Sequence, residues 1–159
     1  MKRHRSLHPL SEHHHHALVG ALEVRRAAQA PVAERAAALR RAGQKLLRLW
    51  TQAGRKHFRE EEEVLLPAYA RHLALDDDPA VMRMLADHAS IRARVEQLEA
   101  ALAAHRPAEA EAVALGRLLH DHVRLEEDVI FPRIEAALSE VELGAVGRRL
   151  TRLHRRKKG

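Results

Sequence analysis

The stretch "HFREEEEVLLP" (57–67) returns later in the chain as "HVRLEEDVIFP" (122–132), aligned without a gap. Six of the eleven positions are identical, and three more exchange like for like: Glu63 with Asp128, Leu65 with Ile130, Leu66 with Phe131. In each copy a histidine stands four residues before a glutamate, so on a helix the two side chains leave the same face one turn apart. His57 with Glu61 and His122 with Glu126 can thus each offer a nitrogen and an oxygen to one centre. A single pair of this kind is weak evidence, worth a few tenths of a kcal/mol as an exposed contact. His8 with Glu12 has the same spacing and no such context. Two pairs inside one repeated pattern are specific.

The neighbours of each pair are apolar. Trp50, Val64 and Leu65 surround the first at helical spacing; Leu115, Leu118, Leu119, Val129 and Ile130 surround the second. Each pair therefore sits in a stripe that otherwise reads as core. Two buried carboxylates require a positive partner, because leaving them unpaired costs several kcal/mol each. Arg59 and Arg124 repeat too, but they lie about 200° around the helix from the histidines. A bound cation is the more economical partner, and imidazole with carboxylate suits iron, manganese or zinc.

The rest of the chain frames this repeat. At 159 residues it fits one domain, 1–159, and it contains no cysteine, which excludes disulfides and thiolate sites. No apolar run reaches the length of a membrane span and the N-terminus has no apolar signal core, so a cytoplasmic protein is expected. Alanine, leucine, arginine and glutamate dominate, which points to an all-α fold. Prolines and charge clusters divide the chain into helical segments. They run from Pro9 or Ser11 to Ala30, from Pro31 through Pro67 to His72, from Ala80 to Ala104, and from Ala108 to Leu138. An aspartate caps the third, and Gly43 and Gly54 are weak points in the second. Ser139 with Glu142 makes a capping box that opens a short fifth helix, 139–159. The expected architecture is an antiparallel up-down four-helix bundle, 9–138, with that fifth helix added. Val141, Val146, Leu150 and Leu153 are its expected docking residues.

The net charge of +6 gathers at the ends, in "KRHR" and in the run from Arg148 to Lys158. Without interleaved aromatic residues this reads as solvated tail rather than as a nucleic-acid surface. The run "HHHH" (13–16) flows directly into an apolar helical pattern, unlike a fusion tag. If the first two segments repeat as the last two, His88 on the third should have a counterpart in this run. His88 is followed by Ile91 and Val95 at three and seven residues. His15 reproduces those offsets best, with Leu18 and Leu22, whereas His14 is followed by two alanines.

The ordered set His15, His57 with Glu61, His88, and His122 with Glu126 resembles the signature of the hemerythrin-like (HHE cation-binding) domain family. The continuations "EEEVLLP" and "EEDVIFP" are similar to that family as well. The resemblance implies a four-helix bundle holding two iron ions, a di-iron centre with an oxo or hydroxo bridge. It implies that Glu61 and Glu126 bridge the ions, with His15 and His57 on one and His88 and His122 on the other. Oxygen-carrying members have a further histidine where this chain has Arg92, and an aspartate at longer spacing where it has Glu126. That departure implies an open position on one ion and argues against dedicated oxygen transport.

The expected function is that of a non-haem di-iron protein that binds or reacts with oxygen, nitric oxide or peroxide in sensing or stress response. Alternatives are iron storage or donation with little turnover, and a metal-free helical interaction module. The histidine and glutamate set disfavours the last. A ferritin-like site fits less well, since its Glu-x-x-His order occurs here only as Glu12 with His15. Sequence leaves the oligomeric state open.

Overall fold

The computed structural model describes residues 3–155, and among them the chain is helical throughout, with no strand. A short 3-10 turn, Arg5–Leu7, leads into α1, His8–Ala28. Helix α2 covers 32–69, α3 is Pro79–Ala103, α4 covers 109–137, and α5 is Glu140–Arg155. The local signals act as expected. Asp78 caps α3 by accepting the Ala80 N–H at 2.9 Å, with Pro79 in the first turn. Ser139 and Glu142 close a reciprocal capping box: the Ser139 N–H donates to Glu142 at 2.9 Å, and the Glu142 N–H reaches the Ser139 hydroxyl at 3.4 Å.

Helices α2 and α4 are continuous but not uniformly α-helical. α2 contains two π turns, Trp50–Gly54 and Glu61–Leu65, and α4 contains one, Glu126–Ile130. In the last two, the N–H of Leu66 bonds the carbonyl of Glu61, and that of Phe131 bonds Glu126, five residues back. Pro67 and Pro132 follow immediately. A proline within an α-helix lacks a donor and crowds the carbonyl four residues before it, and the wider turn relieves both problems. The repeated sequence is therefore also a repeated backbone irregularity, and the π turns at Glu61–Leu65 and Glu126–Ile130 both open on one of the paired glutamates.

The core is divided. One apolar cluster includes Leu7, Leu10, Val64, Leu65, Val81, Met84, Ile130 and Phe131; the other includes Val24, Leu46, Trp50, Ile91, Val95, Leu98 and Leu115. Along α1 and α3 the chain passes from the first cluster to the second, and along α2 and α4 it passes back. The buried polar residues of each helix lie between. Gly116 lets α4 approach α1 closely, since a Cβ there would stand 3.1 Å from the Val24 side chain.

Helix α5 covers the first cluster with Leu143, Val146 and Leu150, all buried. Val141, expected to dock, is 79% exposed. The docking face runs at three and four residues from Leu143, and Val141 lies off that stripe. Arg156, Lys157 and Lys158 of the basic tail lie outside the described residues. Arg3, from the basic N-terminus, is not a solvated charge: it pairs with Glu127 at 2.7 Å and Glu135 at 2.9 Å.

Two consequences can be measured. The capping box and His72 hold the Glu142 carboxyl down to about 2, against an ordinary value of 4.5. A depressed carboxyl stabilises the fold above its unfolded value and loses that contribution as pH falls toward the folded one. Glu142→Gln should thus be less stable than the parent at neutral pH, the difference closing between about pH 4.5 and 2 in denaturant melts. Gly54 lies under the Trp50 ring, where a Cβ would stand 2.4 Å from Cε3. Gly54→Ala should destabilise by about 1–3 kcal/mol and shift Trp50 fluorescence, although alanine is the better helix former.

Candidate metal centre

Four helices each send one histidine inward, and α2 and α4 add a glutamate. His57 and Glu61 on α2, His88 on α3, and His122 and Glu126 on α4 are all buried, as the sequence pattern predicts. From the histidine run the structure brings in His14, not His15. His14 is 2% exposed, whereas His15 and His16 face solvent. The offsets after His15 pointed to Leu18 and Leu22, which are only partly buried. The deciding signal lies upstream: Leu7 and Leu10, both fully buried, stand seven and four residues before His14 and continue its stripe. The alanines that follow His14 suit this stripe, since small residues let α1 pack close.

The six side chains meet with their Nε2 atoms and carboxylate oxygens at the centre. Oε1 of Glu61 lies 3.2 Å from His57 and 3.7 Å from His14, and its Oε2 lies 3.3 Å from His88. Oε2 of Glu126 lies 2.9 Å from His14, while its Oε1 lies 3.0 Å from His122 and 3.5 Å from His88. Each carboxylate thus presents one oxygen to the His14–His57 pair and the other to the His88–His122 pair. The contacts are short, yet all four glutamate oxygens and the Nε2 atoms of His88 and His122 lack a properly aligned hydrogen-bond partner. The Nε2 atoms of His14 and His57 meet at 2.8 Å, so the donor atoms crowd toward the centre without satisfying the glutamate oxygens.

The electrostatics agree. Burial alone would drive the Glu61 carboxyl up, but His57, His14 and His88 hold it well below its ordinary value. For Glu126, burial and the Glu61 charge push up, and His122 with His14 pull it down. Burial lowers His88 and His14, yet the glutamates outweigh it: Glu126 and Glu61 raise His88 to about 10, and Glu126, Glu127 and Glu61 raise His14 well above 6.5. The centre stabilises positive charge wherever it can be placed.

Behind the histidines stands a second set of groups that sequence analysis did not identify. Nδ1 of His14 faces Glu127 at 2.6 Å, and Nδ1 of His88 faces Glu62 at 2.7 Å. Each of these glutamates directly follows a central glutamate, and each orients the histidine of the other half. Arg3 holds Glu127, and Arg92 holds Glu62 at 2.8 Å. Arg92, read from sequence as a missing ligand, therefore braces the carboxylate that orients His88. His122 Nδ1 lies 3.9 Å from Asp87, which Arg83 binds at 2.8 Å. His57 Nδ1 instead meets His13 at 3.4 Å. Phe58 stacks on His88 with ring centroids 3.7 Å apart, and Phe131 stacks on His14 at 5.2 Å.

An apolar cavity of about 60 Å³ adjoins the centre, bounded by Trp50, Gly54, Phe58 and Leu115 together with His57 and His122. His8 and Glu12 stay on the surface, and Arg59 turns outward to Glu63 at 2.7 Å.

Residues 7–155 match the family model described as the hemerythrin HHE cation binding domain. Neither a curated protein nor a solved structure matches closely enough to add to this. No described helix is long and apolar enough to cross a membrane. With nearly the whole chain matched, and with histidines and glutamates grouped as a cation site requires, the chain belongs to the hemerythrin HHE cation-binding domain family.

Proposed function

We propose that this chain is a non-haem di-iron protein that binds or reacts with oxygen, nitric oxide or peroxide in sensing or stress response. The observation that carries the reading is the crossed presentation of Glu61 and Glu126, each with one oxygen toward either histidine pair. In this reading His14 and His57 would hold one ion and His88 and His122 the other, with Glu61 and Glu126 shared between them. The alternation of core clusters along the helices supports an antiparallel up-down arrangement of α1 to α4 around that centre, within a single domain. His14 takes the place that sequence gave to His15.

The residues fit such ions. Imidazole and carboxylate suit iron, and the orphaned glutamate oxygens need cations. Bound iron would supply the redox chemistry and the site for the small ligand. The protein's own part is to orient and to exclude. Glu127 and Glu62 fix the rings of His14 and His88 and leave each Nε2 facing inward, and Asp87 stands 3.9 Å behind His122. A mostly apolar cavity of about 60 Å³ lies beside His57 and His122, and such a lining suits a small ligand of low polarity such as a diatomic.

Metal analysis of protein purified from iron-supplied cells tests this. The parent should carry about two irons per chain with bridged diferric absorption. Glu61→Gln and Glu126→Gln should each lose both ions, and His14→Ala mainly one, while His15→Ala and His16→Ala keep both. Glu62→Ala and Glu127→Ala should weaken retention about 10- to 100-fold. The loaded chain should melt above the chelated one, with about 4 kcal/mol of added stability at a thousandfold excess over Kd. Full metal content in Glu61→Gln and Glu126→Gln would refute the centre.

A further inference from the structure

The two halves of the centre are related by the repeat, and one difference between them lies directly behind His57. His14 corresponds to His88, so His13 corresponds to Asp87; by the same alignment Glu60 corresponds to Leu125. Behind His122 stands Asp87, held by Arg83, with Leu125 nearby in the chain. Behind His57 stands His13, and beside it Glu60, a carboxylate with no exposed surface. The repeat does not itself call for a buried acid here, since the corresponding position of the other half is Leu125. Glu60 Oε2 lies 3.6 Å from His13 Nδ1, and Oε1 lies 3.5 Å from the Lys56 ammonium.

We propose that His13, Glu60 and the outward Nδ1 of His57 form an entry site for a divalent transition cation, one step outside the buried centre. The inference rests on the reading of that centre as a metal site. One ligand atom from each of the three residues lies within 4.8 Å of the others, and two imidazoles with a carboxylate suit such ions. The group spans the wall of the bundle. The His13 side chain is 21% exposed, His57 7%, and Glu60 not at all. His57 faces both ways, with Nδ1 toward His13 at 3.4 Å and Nε2 toward Glu61 at 3.2 Å. A neutral imidazole offers one lone pair at a time, so His57 holds a cation outside or inside, not both at once. Lys56, 29% exposed, supplies the positive charge beside Glu60 until a cation arrives, then swings into solvent. The site is a transfer point rather than a third resident ion.

Loading kinetics test this. The full chain, stripped by chelation, is mixed rapidly with cobalt(II), and the absorption of the filling centre is followed over a range of cobalt concentrations. The parent should fill at a rate that saturates with cobalt, because an outer complex forms first. Glu60→Leu, which copies the other half, and His13→Gln should fill about tenfold or more slowly at low cobalt, with a linear dependence and the same final content. Glu63→Gln, an exposed charge on the same helix, should fill like the parent. A linear dependence in the parent, or equal rates in parent, Glu60→Leu and His13→Gln, with the centre filling normally, overturns the entry site alone. Failure of the parent to take up cobalt at all overturns the centre and the entry site together.

Discussion

Glu61 and Glu126 lie wholly out of water in the middle of a helical bundle, held ionised by their surroundings. Almost everything else in the chain answers that constraint. A carboxylate stripped of water costs several kcal/mol unless positive charge and hydrogen-bond donors converge on it. Four imidazoles do so here, one from each long helix. Glu127 and Glu62 orient His14 and His88 and are themselves held by Arg3 and Arg92, while Asp87 stands behind His122 and His13 behind His57. The ordering of the polar layer thus runs from the axis of the bundle to its surface.

The apolar core serves the same end. It is split in two by the polar layer, so each helix is anchored above and below the residue it contributes. The π turns set the glutamates at the point where the helix departs from its usual register. Phe58 and Phe131 lie flat against His88 and His14 and limit ring rotation. Trp50, packed over Gly54, borders the small cavity beside His57. Positions that look like ordinary core in sequence here pack against the buried histidines and the cavity beside them.

Much of this was legible in sequence because it is periodic or repeated. The helical segments, the caps at Asp78 and Ser139, and the inward face of His57, Glu61, His88, His122 and Glu126 follow from spacing. His14 is inconspicuous in sequence because the residues three and seven after it, Ala17 and Ala21, are small. Leu7 and Leu10 before it carried the stronger signal. The orienting carboxylates were hidden for a different reason. Glu62 and Glu127 sit one residue beyond the central glutamates, where an ideal helix turns a side chain about 100° away, and their partners lie on other helices. Arg3 appeared to be tail charge, and Arg92 a lost ligand; their pairings are long-range and leave no local trace. Val141 failed as a docking residue because one apolar side chain off the stripe says nothing about the face that packs.

The crossing of Glu127 to His14 and Glu62 to His88 has a consequence for how such a chain can be assembled. Each half depends on the other for a central oxygen and for the carboxylate that aligns its own histidine. A lone helical hairpin would therefore expose an unfinished polar layer. Two identical hairpins meeting about a twofold axis, however, would satisfy both crossings with a single sequence. The arrangement is thus open to a half-length chain that pairs with itself. Joining two copies end to end would free each to diverge, and His13 with Glu60 against Asp87 with Leu125 is a difference of that kind.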